Sequence, residues 1–314
     1  MKKIIFNILL LVFLFCILNV GFYYYVLFKY EIPSRKRVFD NVLGNKIPPY
    51  RTTLYNISDM YYDKREYRPV MNPDSSEQPV LIFGCSFAHG YIFDNKETIS
   101  YIMSKYSKRP IINRARNGWG VQHMLYTLKE DEELFDNIKP PKYIFYVLMD
   151  SDSHFRRLYY TTFPNITQNF YYLSYVNKNG VLTERKPFLN KYYNVVIFNH
   201  IYNEFMLKKV NRDFKNNSKE LFDFFILHFK TINDIIKERW GNNPKFVILT
   251  FENTKKELWA PQLQKMGIDV VDISETIGIS NLYDDRLGFF EFAHPNGKLW
   301  QLFVPKLKEM YPDL

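Results

Sequence analysis

The stretch Pro79-Val80-Leu81-Ile82-Phe83-Gly84-Cys85-Ser86-Phe87-Ala88-His89-Gly90 decides how this chain is read. Four apolar residues run without a polar break into Gly84, Ser86 follows at once, and Gly90 comes four residues after the serine. Continuous rather than alternating hydrophobicity is the pattern of a strand whose sheet is covered on both faces. The glycine ends the strand, so Ser86 falls in the first turn beyond its C-terminal end. In open α/β sheets ligands bind at that edge. Turn amides there also point at the space where an oxyanion would form. A strand-ending turn that merely contains a small residue is the other reading of the same residues.

Outward from this stretch, strand and helix alternate. Strands are read at 79–84, 110–114, 142–149, 245–251 and 268–273, and helices near 97–107, 120–130, 218–240, 254–266 and 296–310. Such alternation implies a parallel sheet with helices on both faces, a three-layer α/β fold with five strands in flavodoxin-like order. Leu221, Phe222, Phe225, Phe229, Ile232 and Ile236 recur at helical spacing and form a core-facing stripe. Between the third strand and that helix lies an insertion at about 155–215, rich in Tyr, Phe and Asn. Within it, Tyr171 to Gly180 reads as a small hairpin turning at Asn179-Gly180. This lobe either walls a substrate cleft or is held together by its own aromatics.

The first residues read differently. Met1-Lys2-Lys3 precedes an almost uncharged run from Ile4 to Phe28. As a helix at roughly 1.5 Å per residue it would span about 37 Å, enough to cross a bilayer with tilt. No small-x-small cleavage site follows, which favours an uncleaved anchor over a signal peptide. Tyr23, Tyr24 and Tyr25 suit an interfacial belt near its distal end. Lys29, Arg35, Lys36 and Arg37 outnumber Lys2 and Lys3, a bias that taken alone would hold the large domain inside. A short tail before a long anchor is nevertheless the signal-anchor form, and the expectation is an extracytoplasmic domain. The chain then divides into residues 1–29 as tip and anchor, 30–77 as a Pro-containing membrane-proximal connector, and 78–314 as one domain.

With 314 residues the chain can bury a sizeable core. Its 25 Tyr and 28 Phe argue against disorder. The net charge of +9 is scattered rather than gathered on one motif, so a nucleic-acid partner is not expected. Attraction to anionic lipid or an acidic glycan suits it better. Cys16 and Cys85 sit in the anchor and the serine motif, so a mutual disulfide is not expected. His89 and His123 have no carboxylate or Cys at ligand spacing, and no phosphate loop or dinucleotide fingerprint occurs, so neither metal nor cofactor is expected.

Three segments together resemble the SGNH (GDSL-type) hydrolase family. Gly84-Cys85-Ser86-Phe87-Ala88-His89-Gly90 is similar to its first block, with Cys85 where the family carries Asp. Asn113-Arg114-Ala115-Arg116-Asn117-Gly118 resembles the second, and Glu291-Phe292-Ala293-His294-Pro295-Asn296 the last. The resemblance covers roughly residues 78–310. It implies that Ser86 is a nucleophile, that His294 is its base, and that a carboxylate orients the imidazole. Glu291 is the candidate there, one methylene longer than the family's Asp, with Asp284 and Asp285 as alternatives. That division of labour is what a serine needs, since its hydroxyl is a poor nucleophile until a positioned base takes the proton. A His-Pro-Asn that only starts the last helix is the competing reading. Cys85, in strand-end packing, reads as a small buried hydrophobe rather than a nucleophile.

The resemblance also implies an oxyanion hole from the amides of Ser86 and Gly118. A third donor departs from the family, because Met149-Asp150-Ser151-Asp152 stands where it has Gly-x-Asn-Asp. Ser151 stands in the Asn position as the third donor with a shorter hydroxyl, His154 is the alternative donor, and Arg156 or Arg157 could bind an anionic substrate group. The function expected is a membrane-anchored serine esterase or O-acyltransferase acting on acyl esters, acetyl foremost, of a cell-surface glycan or lipid. The other class in view is a non-catalytic domain of the same fold that binds a glycan or an assembly partner. Retention of Ser86 with His294 favours the first, and loss of the Asn favours the second.

Overall fold

A computed structural model describes residues 2–29, 38–40, 44–46, 67–90, 93–130, 138–149, 153–158, 175–184, 208–251, 254–291 and 294–314. Five strands form the central sheet: β1 (Val80–Gly84), β2 (Ile111–Asn113), β3 (Tyr143–Leu148), β4 (Lys245–Thr250) and β5 (Asp269–Asp272). Their spatial order is β2-β1-β3-β4-β5 and every pairing is parallel, the flavodoxin-like arrangement expected from the alternation. Strand ends differ from the sequence reading by at most one residue. The register sets Gly84 beside Val147 and Leu148 beside Thr250, so the C-terminal ends of β1, β3 and β4 open at one edge.

Alternate residues of the buried strands feed two cores. Leu81, Phe83, Ile144, Tyr146 and Leu148 pack with α4 (Val121–Glu130), α6 (Lys219–Trp240) and α7 (Lys256–Lys265). Val80, Ile82, Phe145 and Val147 pack against α3 (Ile99–Ser104), α8 (Ile273–Ile277) and α9 (Gly297–Met310). The apolar stripe read on 218–240 is buried as expected, with Phe225 and Phe229 at the centre. Helix α9 begins where Asn296 caps it, its Oδ1 accepting the Lys298 amide at 3.0 Å. The Asn296 side chain also donates to the Gly288 carbonyl at 2.8 Å, so the residue after His294-Pro295 ties the last helix to the loop before it.

Two connections complete the domain. Met71 exchanges both backbone hydrogen bonds with Ile111, and the end of the connector thereby covers the free edge of β2. In the insertion, Tyr175–Lys178 pairs with Val181–Glu184, and the Asn177 side chain accepts the Gly180 amide at 2.8 Å. The expected hairpin is present, its first strand beginning at Tyr175. Most of the remaining insertion lies outside the described residues.

At the N-terminus, α1 (Lys2–Lys29) is a helix of 28 residues. Its side chains are described at 6–18 and 21, and over the described residues no helix is long and apolar enough to cross a membrane. Among those side chains Phe6, Leu9, Leu11, Phe13 and Leu18 are each more than 60% exposed.

Under α6, His228 is fully buried. Its Nδ1–H donates to the Phe224 carbonyl at 2.8 Å, and Nε2 has no partner among the described residues. Burial holds its pKa down at about 4, against an ordinary value of 6.5. Burial likewise lowers His154 well below its ordinary value, with the Arg157 charge adding to it. The unfolded chain therefore takes up protons as pH falls through about 6.5, while the folded chain resists until about 4. Stability present at neutral pH is lost across that window, up to about 3 kcal/mol through His228. A His228→Leu variant should lose less urea stability than the parent between pH 7 and 4.5. Identical losses in the two chains would contradict this assignment.

Candidate active site

The chain leaves β1 through Gly84, whose φ of +146° is a conformation that L-residues with side chains rarely adopt. A Cβ placed there would stand 2.8 Å from the Val147 carbonyl oxygen and 3.0 Å from Ala88 Cβ. No side chain fits between β3 and the turn, so the strand can break sharply into α2 (Ser86–His89). Ser86 opens that helix at 5% exposure, and Cys85 is entirely buried behind it. Cys85 is thus the packing residue that the sequence suggests.

Arg68, from the connector, closes the far end of this turn. Its buried guanidinium donates to the carbonyls of His89 (2.9 Å), Gly90 and Phe93 (2.9 Å) and to Asn95 Oδ1 (2.7 Å). One planar fork so gathers the carbonyls that α2 and its following loop leave without helical partners. Nothing in the sequence singles out Arg68, which sits in a segment that reads only as a linker.

The second block runs beside the first. Beyond β2 the Arg114 amide donates to Ile82 (2.7 Å) and the Arg116 amide to Gly84 (3.3 Å), so the segment follows β1 to the serine turn. Asn113 is a buried strut, its Nδ2 donating to the Ala88 carbonyl at 2.8 Å while Oδ1 accepts the Ala115 amide at 3.0 Å. Arg116 to Trp119 forms a hydrogen-bonded turn (3.2 Å), and Gly118 occupies its third position with φ +81°. A positive φ there is the type II signature, which explains the glycine. Tyr67 lies over this segment, with the Arg114 and Arg116 guanidinium carbons each 4.5 Å from its ring centroid. Arg116 also lies 5.0 Å from the Trp119 ring. The serine edge consequently carries two nearly buried cations, a field that favours developing negative charge. The Arg-x-Arg spacing inside the second block is the available sign of it.

The third element arrives from the far end of the chain. Phe290–Glu291 and His294–Pro295 form a short antiparallel pair that sets Glu291 opposite His294. The His294 ring packs edge-on to Phe87, centroids 5.6 Å apart, and so reaches the residue next to Ser86. The two segments are more than two hundred positions apart in sequence. The side chain of Glu291 lies outside the described residues. Asp284, an alternative carboxylate, is engaged elsewhere: Arg286 holds it by guanidinium and backbone and keeps its carboxyl below the usual range. Asp285 lies beside it in an exposed 3-10 turn.

The candidates for the third donor, and the arginines beyond them, are placed unevenly. Asp150, Ser151 and Asp152, and the side chain of Arg156, lie outside the described residues. His154, on α5 (Ser153–Arg157), is completely buried with Nδ1 2.9 Å from the Tyr146 hydroxyl. It occupies a buried core site anchored on β3. Arg157, read from the sequence as a ligand for a substrate anion, donates Nη1 to the Trp119 carbonyl at 2.8 Å. Among the described residues no three or more His, Cys, Asp or Glu side chains gather where they could hold a metal ion.

No family model matches the chain, and no curated protein does. Similar solved structures include a protein from Desulfitobacterium hafniense assigned to the G-D-S-L lipolytic family, at 11% identity and TM-score 0.41, covering 74% of this chain and 99% of that one. A salicylyl-acyltransferase from a tetracycline biosynthetic pathway has 11% identity and TM-score 0.41, covering 76% of this chain and 56% of that one. An acetyl xylan esterase from Butyrivibrio proteoclasticus has 10% identity and TM-score 0.43, covering 78% and 64% respectively.

The tight exit at Gly84 is open to a direct test. Gly84→Ala combines an unfavourable φ with contact against backbone, and it should cost about 2–4 kcal/mol in urea unfolding. An alanine variant as stable as the parent would contradict the close approach.

Proposed function

We propose that this chain is a membrane-anchored serine esterase or O-acyltransferase of the SGNH (GDSL-type) kind, acting on acyl esters of a cell-surface glycan or lipid. The observation that carries this reading is the packing of the His294 ring on Phe87, beside Ser86, at the C-terminal edge of the sheet. Ser86 attacks the acyl carbonyl as His294 takes its proton, and Glu291 orients the imidazole and stabilises its charged form. The amides of Ser86 and Gly118 receive the developing oxyanion. His294 then returns the proton to the leaving alcohol. Water releases the acyl group in an esterase, and a second hydroxyl accepts it in a transferase.

A surface polymer or lipid is the favoured carrier, because an anchored domain would stand against it. The support for the anchor is α1 itself. From Phe6 to Leu18 every residue but Asn7 is apolar, and the run from Ile4 to Phe28 carries no charge, the composition of a bilayer-spanning segment. The catalytic domain would then stand outside the cytoplasm, against a surface carrying the substrate.

A fluorophosphonate probe forms a stable serine adduct only where base and oxyanion donors are in place. The detergent-solubilised full chain should label, Ser86→Ala should abolish labelling, and His294→Ala should slow it by at least about a hundredfold. No labelling of the parent chain would move the domain to a binding role. Protease added to intact spheroplasts should remove the domain and leave a small membrane stub; complete protection would place the domain inside.

A further inference from the structure

We propose that Arg157 is a positioning residue for the oxyanion turn, holding Gly118 in place through the Trp119 carbonyl, and that it binds no substrate anion. This inference rests on the esterase reading for its kinetic consequence and on geometry alone for its structural one. The turn that presents Gly118 is held on both sides. On its N-terminal side the Arg116 amide is bonded to Gly84, which fixes the turn to β1. On its C-terminal side two contacts meet. The Gly120 amide donates to His123 Nδ1 at 3.0 Å, and the imidazole stacks on the Trp119 indole at 5.2 Å and 10°. The Trp119 carbonyl accepts from Arg157 Nη1 at 2.8 Å.

Of the two contacts on that side, the second comes from a different loop. His123 belongs to α4, which continues directly from the turn, whereas Arg157 ends α5, a separate segment of the chain. That segment is itself pinned in two ways. The Gln122 side chain donates to the Arg157 carbonyl at 2.8 Å, and His154 meets the Tyr146 hydroxyl at 2.9 Å on β3. A Cβ on Gly120 would stand 3.1 Å from Arg157 Cβ, so α5 passes close to the turn at this point. The proximity of the Arg157 charge to the buried His154 ring agrees with this placement. Arg157 therefore joins the turn carrying Gly118 to α5, and an oxyanion donor on that turn needs its position fixed. An oxyanion donor acts only within a few tenths of an ångström of its best distance, so loss of such a clamp lowers turnover more than binding.

The test compares the full chain with Arg157→Ala and Arg157→Lys on two probes, 4-nitrophenyl acetate and the anionic 4-nitrophenyl hydrogen succinate. Arg157→Ala should lower kcat by about tenfold or more on both esters, with KM changed less than about twofold. Arg157→Lys keeps a cation and an N–H for the carbonyl and should recover most of the loss. A loss confined to KM for the succinate ester would make Arg157 a substrate ligand and overturn the proposal, as would an unchanged kcat. Hydrogen exchange supplies the independent readout. The amides of residues 117–120 should exchange at least about tenfold faster in Arg157→Ala, or in Arg157→Lys to a smaller degree should the alanine variant not fold. A parent chain inert on both esters would sink the esterase reading alone; unchanged exchange would sink the clamp alone.

Discussion

The absence of a side chain at Gly84 is the constraint on which the rest of this structure turns. At that point β1 must leave the sheet within van der Waals reach of the Val147 carbonyl, because Gly84 and Val147 are partners in the parallel register. The order β2-β1-β3-β4-β5 reverses direction at β1, so Gly84 stands at the topological switch point, where loops diverge and leave a crevice. With room for a hydrogen only, the chain turns at once and Ser86 begins a helix facing that crevice. A longer exit would carry Ser86 away from the Gly118 turn and from the His294 ring.

Buried polar side chains then do for the loops what apolar ones do for the sheet. Arg68 collects three carbonyls and an amide oxygen after the serine turn, Asn113 links β2 to Ala88, and Arg157 links the Gly118 turn to α5. Hydrophobic burial is non-directional and cannot specify loop spacing to the tolerance an oxyanion needs. Hydrogen bonds with fixed donors can, and a buried carbonyl left without one carries its full desolvation penalty. Loss of one of these struts therefore affects loop geometry as well as stability.

The sheet is legible in the sequence because its strands are buried on both faces. Val80 to Phe83 and Tyr143 to Leu148 are unbroken apolar runs, and their glycine and proline boundaries place them within a residue or two. Helix α6 is legible from the spacing of Leu221, Phe225, Phe229 and Ile232. The serine turn and His294 are legible because their chemistry is local to short blocks. The struts are not. Nothing in the spacing of Arg68 says that it folds back on His89, Gly90 and Phe93, because that contact depends on where the connector crosses the β2 edge. Arg157 reads as a ligand for an anion because a sequence displays its charge and hides the Trp119 carbonyl it faces. His154 reads as a replacement donor for the same reason, and its bond to Tyr146 requires a strand and a helix to be set against each other.

In the proposed mechanism Ser86 and His294 act as one unit across the end of this sheet. A double-mutant cycle on kcat/KM for an acetyl ester tests it most directly. If base and nucleophile operate together, Ser86→Ala and His294→Ala should each remove nearly all activity, and the double variant should be no worse than either, because residues acting as a unit are strongly non-additive. Losses that simply multiply would mean that the two side chains contribute independently, and would contradict their assignment as nucleophile and base of one site.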